Sequence, residues 1–234
     1  MSSDHLSSKE VVPALDPELL QVRWILGGLR PEDLVSHALS ALQLGFSGVA
    51  LQQLAGLVSP TQADLGTLPE RAFREMGLKP IDRQGAVDFL VARGGFSRND
   101  VFRLLLTACP SFSDRWRKHI EWWGGEPAGE YNDMAEFVHF VVEDLQANGK
   151  IDEVRRVFEL MEKQLEKGDQ EDRDLIGLGF FETLQNVASH GPNGYEEYKQ
   201  FLGPLSAQIW AEIQRAWAGK SSLADVIRAE RRRG

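Results

Sequence analysis

A single cysteine, Cys109, stands among 234 residues. That excludes an internal disulfide framework and any zinc site built from several thiolates. Positive charge is also short: 26 Lys and Arg face 35 Asp and Glu, a formal net charge of −9. Such a surface has no general attraction for nucleic acid or for anionic membrane, both of which select surplus Lys and Arg. Long apolar runs are missing too. Residues 34–63 carry no Asp, Glu, Lys or Arg, yet His37, Gln43, Gln52, Gln53 and four serines interrupt them. Gly45 and Gly48 then split the stretch, so it reads as two buried helices rather than a membrane span of about 20 apolar residues. The Ser-rich start has no basic segment leading into an apolar run, so no secretory signal is expected and cytoplasmic residence is the default. The phosphate loop G-x-x-x-x-G-K-[ST], the dinucleotide G-x-G-x-x-G, H-E-x-x-H and G-x-S-x-G are all absent, which removes the commonest enzyme classes. No catalytic residue and no cofactor is assigned.

What remains is helical patterning, and no stretch alternates with period two. Residues 1–15 read as a flexible lead-in. Asp16-Pro17 opens a helix by side-chain capping and a proline in the first turn, and Gly27-Gly28 closes it. Pro31 to Leu42, a segment over Val49–Leu57, Pro69–Met76 and Asp82–Arg93 continue an N-terminal helical unit over 16–95. Gly94-Gly95 marks its boundary. Residues 96–218 form a C-terminal domain, opened by a cap at Ser97-Arg98-Asn99-Asp100. Its helices run from Ser113 to Trp123, over 131–148, from Ile151 to Gly168, over 170–189 and from Pro204 to Trp217. Residues 219–234 are a basic tail. Short links between amphipathic helices imply an all-α fold of about ten helices, as an antiparallel bundle or a short HEAT-like stack.

Three constellations could carry chemistry. Cys109 needs a base to act as a nucleophile, and His119 is ten residues on with nothing specifying contact, so a buried structural thiol is the expectation. Glu136-x-x-His139 is half of a carboxylate-bridged di-metal arrangement. It would need partners such as Glu182 and His190, but helix 170–189 offers Glu182-x-x-Gln185 instead of the second motif. The stripe through Met134, Phe137, Val138 and Val141 also points Glu136 and His139 away from the core. No metal is therefore expected, and a metal-dependent enzyme using Glu136, His139, Glu182 and His190 is the rival reading.

The third constellation is a stretch of unbalanced charge. Between His119 and Gly149 there is no Lys or Arg, yet there are seven acids: Glu121, Glu126, Glu130, Asp133, Glu136, Glu143 and Asp144. A solvated helix face ordinarily mixes signs, because neighbouring like charges repel. Trp122, Trp123 and Tyr131 lie in the same stretch. Aromatic side chains beside unbalanced acid are the ingredients of a surface that binds a basic protein. Glu182 and Asn186 lie opposite the Phe180–Leu184–Val187 stripe of the next helix but one, and would join Glu136 and His139 if those faces meet.

From Ala108 onward the chain resembles a bacterial all-helical family described as a domain of unknown function. The resemblance is carried by ACPSF at 108–112, Trp116, His119, YNDMAEF at 131–137, GFFETLQN at 179–186, Ser189-His190, LGP at 202–204 and Trp210. It implies a helical domain over roughly 108–218 and transfers no catalytic residue. Small acidic helical proteins of this type are similar to immunity proteins, which neutralise a cognate toxin. The combined expectation is a non-catalytic binding protein. Its partner-binding face comprises Trp122, Trp123, Glu126, Glu130, Tyr131, Asp133, Glu136, His139, Glu143, Glu182 and Asn186. A basic protein, such as a toxin, is its partner; a general helical scaffold is the blander alternative.

Overall fold

The computed structural model describes residues 15–96, 100–191 and 194–219. The lead-in at 1–14, residues 97–99 of the expected cap and the basic tail beyond 219 lie outside them. Among the described residues the fold is all-α: thirteen α-helices, short 3₁₀ turns and no strand. None of these helices is long and apolar enough to cross a membrane.

The helices fall into two compact units divided between Arg83 and Gln84. The first contains α1 (Pro17–Leu26), α2 (Pro31–Gln43), α3 (Val49–Ala55), the short α4 (Gln62–Leu65) and α5 (Leu68–Glu75). The Asp16 side chain accepts from the Leu19 amide at 3.0 Å, and Gly27 ends α1 at φ 87°. These are the start and stop signals of the sequence, each supplying a group that the helix end lacks. The charge-free stretch becomes α2 and α3, whose Leu34, Ala38, Ala41, Leu51 and Leu54 are buried in a common core with Leu65, Phe73 and Met76.

The second unit contains α6 (Arg83–Arg93), α7 (Val101–Ala108), α8 (Ser113–Trp123), α9 (Glu130–Phe140), α10 (Ile151–Lys167), α11 (Gln170–Asp174), α12 (Thr183–Ser189) and α13 (Pro204–Trp217). The two compact units part at 83/84, where the sequence placed the boundary at 95/96. α6 packs with α7 and α8: Arg117 pairs with Asp88 at 2.6 Å. A Cβ on Gly94 would meet Phe102, and one on Gly95 would lie 3.0 Å from the Trp116 ring. The two glycines are a tight turn against α7 and α8 inside the unit, and both take positive φ.

Helices 130–146 and 170–189 each continue through a wider π-type turn, Val141–Gln146 and Leu175–Glu182. Gly179 lies against Tyr131 and Met134, and Phe137 against Phe180, so these two helices run in the same direction while α10 returns between them in the chain. The core is aromatic. Phe158 of α10 meets Phe180, Phe181, Tyr198 and Phe201 at centroid distances of 5.5–6.1 Å.

Candidate functional site

α8 and α9 lie antiparallel, and an open cleft of about 780 Å³ runs between them. Four residues of α8, Arg115, Lys118, His119 and Trp122, have the i, i+3, i+4, i+7 spacing of one helix face, and all four line the cleft. Opposite them stand Glu136, Phe140 and Asp144. One wall is basic and the other acidic.

Arg115 organises this pairing. Its Nε donates to Glu136 at 2.6 Å, and its Nη1 donates to Asp144 at 2.7 Å and to Glu143 at 3.0 Å. Burial works against the guanidinium charge, but the three carboxylates outweigh it and hold Arg115 above its ordinary range. Glu143 also meets His139 at 2.8 Å. One turn further along α8, His119 Nε2 lies 2.7 Å from Asp133 Oδ1, with both side chains about nine-tenths buried. The imidazole stacks on Trp116 at 5.4 Å and meets Trp123 edge-on at 6.3 Å.

This geometry corrects the charge argument. Glu136, Glu143 and Asp144 share the guanidinium of Arg115, and Asp133 is hydrogen-bonded to His119, so four of the seven acids have partners. A charge window that begins at His119 leaves out Arg115, four residues earlier and on the adjacent helix. The crowding sits instead where α9 and α11 begin. There burial first, then Asp169, Glu130 and Glu171, push the Asp172 carboxyl upward. Burial, Asp174 and Glu130 do the same to the Tyr131 phenol. Like charges gather at that end of the two helices.

The three aromatic residues of the stretch are exposed. Trp122 is 86% exposed at the mouth of the cleft, Trp123 37% and Tyr131 51%. Glu126 lies exposed on the connection between α8 and α9, and Glu130 is half-buried at its end. Glu182 and Asn186 are on helix 170–189 and do not line the cleft. The metal alternative does not assemble: among the described residues no three His, Cys, Asp or Glu side chains converge as a metal site. The reason is visible in three of the four members. Glu136 is engaged by Arg115, His139 by Glu143, and His190 by the Asn186 carbonyl of its own helix.

Cys109 is fully buried, and its thiol donates to Glu153 rather than meeting His119. Burial, and after it that carboxylate, pushes the thiol up to about 12. It is structural. Arg115, Lys118 and Asp114 are site residues that the sequence reading did not single out. The helical spacing of 115, 118, 119 and 122 was the signal that could have found the cleft wall.

Together these features define an all-α protein with an aromatic-lipped, mixed-charge cleft on its second unit. The model of a family described as a domain of unknown function (DUF7674) matches residues 102–218, and the chain belongs to that family. No curated protein and no solved structure matches the chain.

Proposed function

We propose that this chain is a non-catalytic, protein-binding protein whose docking surface is centred on Trp122, and in its most specific form a bacterial immunity-type inhibitor acting in the cytoplasm on a basic toxin. The observation that carries the reading is the 86% exposure of the Trp122 indole beside a cleft. A large aromatic ring left in water at a concave site is the kind of residue that anchors protein interfaces. The acid crowded around Tyr131, at the start of α9 and α11, favours a basic partner by steering its approach. Acid in that position would compete with phosphate for the groove of a nuclease.

The test is surface plasmon resonance against the basic product of an adjoining reading frame, at two salt concentrations. Trp122→Ala should raise the off-rate by roughly 30-fold, equivalent to about 2 kcal/mol, without moving the thermal midpoint, because the ring supports no core. Reversing Glu121, Glu126 and Glu130 to Lys should slow association instead. Glu136 and Asp133 are unsuitable for that reversal, since both hold α8 against α9. Salt-independent binding that survives both sets of changes would sink the reading.

A further inference from the structure

We infer that the charge-free surface of α2 and α3 is a self-association face, on which a second copy of this chain docks about a two-fold axis. Nine large hydrophobic side chains are exposed among the described residues, and four of them fall within residues 39–58: Leu39, Leu44, Val49 and Val58. Leu44 is 60% exposed and Val58 89%. Leu39 is on α2, Leu44 and Val49 flank the link that brings α3 back onto α2, and Val58 follows the end of α3. A single exposed leucine is ordinary, but several on one packed helix pair mark a surface that another molecule covers.

Charge selects the occupant. The chain carries 35 acids against 26 bases, so two copies repel wherever their ordinary surfaces meet. Residues 34–63 have no Asp, Glu, Lys or Arg. Burial, and after it Arg23, pushes the half-buried His37 imidazole down, so it adds no charge at neutral pH. Asp33 and Asp64 bound the stretch, and each is engaged locally, by Arg30 and by Thr61. Glu75 of α5 comes in beside Gly48, but its carboxylate is spent on the Ala50 and Leu51 amides at the positive end of α3. A basic partner finds no acid to meet here.

A two-fold axis sets each residue near it against its own copy, which excludes charge and admits neutral groups. Gln43 and Gln52 are exposed among the apolar residues, and each carries both donors and an acceptor, so an amide can bond to an identical amide across the axis. On this helix pair a chain of net charge −9 presents a face that it can turn to another chain of the same charge. The face belongs to the first unit, the cleft and Trp122 to the second, so self-association and partner binding can fail separately.

Sedimentation velocity of the full chain from about 1 to about 200 µM is the test. The mass should climb from one chain toward two and stop there, because a two-fold contact closes on itself. Added NaCl should leave the dimer in place or tighten it, since no ion pair holds the face and screening weakens the repulsion between acidic chains. Leu44→Glu and Val58→Glu each set a carboxylate against its own copy, and each should raise the dimer Kd by about 10-fold or more. Neither should change the helical circular dichroism spectrum, because both side chains are mostly in water. The neutral Leu44→Gln should fall between the wild type and Leu44→Glu, and Trp122→Ala should leave the dimer intact. A single-chain mass over the whole range, a dimer indifferent to both glutamate changes, one dissolved by salt, or one lost in Trp122→Ala would each overturn the proposal.

Discussion

A buried thiol next to a carboxylate behaves unlike a free one, and Cys109 shows the consequence at the scale of one residue. Its side chain has no exposed surface, and its proton is held by burial and by Glu153 until about pH 12. The thiolate is the reactive species, so almost none forms at neutral pH. The native protein should therefore resist a maleimide or Ellman's reagent at pH 8 and give one equivalent of thiol only after unfolding in guanidinium. One fast-reacting equivalent in the native state would mean that the α7–α8 corner opens readily. Arg115 makes the complementary point. A single cation satisfies three carboxylates brought from a neighbouring helix, and no count of charges along the chain could have assigned it to them.

Helices in this protein are finished by residues from other helices. The Glu162 carboxylate of α10 accepts from the Leu205 amide at 2.7 Å, the Ser206 amide at 2.9 Å and the Ser206 hydroxyl at 2.7 Å. It thereby fills the orphan donors of the first turn of α13. Glu75 of α5 does the same for Ala50 and Leu51 of α3. Each carboxylate needs a glycine beside it: a Cβ at Gly203 would lie 2.5 Å from the Glu162 carboxyl carbon, and one at Gly48 would collide with Glu75. Gly203→Ala should evict the carboxylate and cost roughly 1–3 kcal/mol in urea unfolding. The cost should not add to that of Glu162→Gln, because both remove the same bonds. Acid should act alike. Burial raises the Glu162 carboxyl, but the Leu205 and Ser206 hydrogen bonds outweigh it and leave it below its ordinary 4.5. A carboxyl lowered by folding contributes stability that is present above its unfolded value and lost as pH falls through its folded value. The advantage of the wild-type chain over Glu162→Gln should accordingly shrink below about pH 4.5, and an advantage unchanged at strongly acidic pH would refute the assignment.

At the scale of the whole molecule, the division between Arg83 and Gln84 makes a prediction that the glycine pair does not. A fragment of residues 84–219 keeps α6, with Ala86, Val87 and Leu90 buried and Asp88 on Arg117. It should unfold cooperatively with a helical circular dichroism spectrum. A fragment of 96–219 loses those contacts, and burial of Val87 and Leu90 alone is worth about 3–6 kcal/mol. It should melt at least several degrees lower or lose its cooperative transition. Equal midpoints would favour the boundary at 95/96.

The amino-acid sequence by itself determined the helices, and with them the fold class. Asp16-Pro17, Gly27, Gly168 and Gly203-Pro204 are local signals, because caps and stops act on the donors and acceptors of their own helix ends. The stripes over 131–148, 151–165 and 170–189 are local too, since the period of 3.6 is written along the chain. The family portion was also legible, in residues such as YNDMAEF and GFFETLQN. Only the tertiary structure decided which charges meet. The acids at 136, 143 and 144 read as bare because Arg115 comes from α8, and spacing along one helix says nothing about the sign of its neighbour. It also decided that Trp122 faces water while Trp116, earlier on the same helix, is sealed beneath Gly95. Two tryptophans of one helix share a single burial tendency in sequence, and only the packing of α6 and α9 around α8 chooses which face is covered.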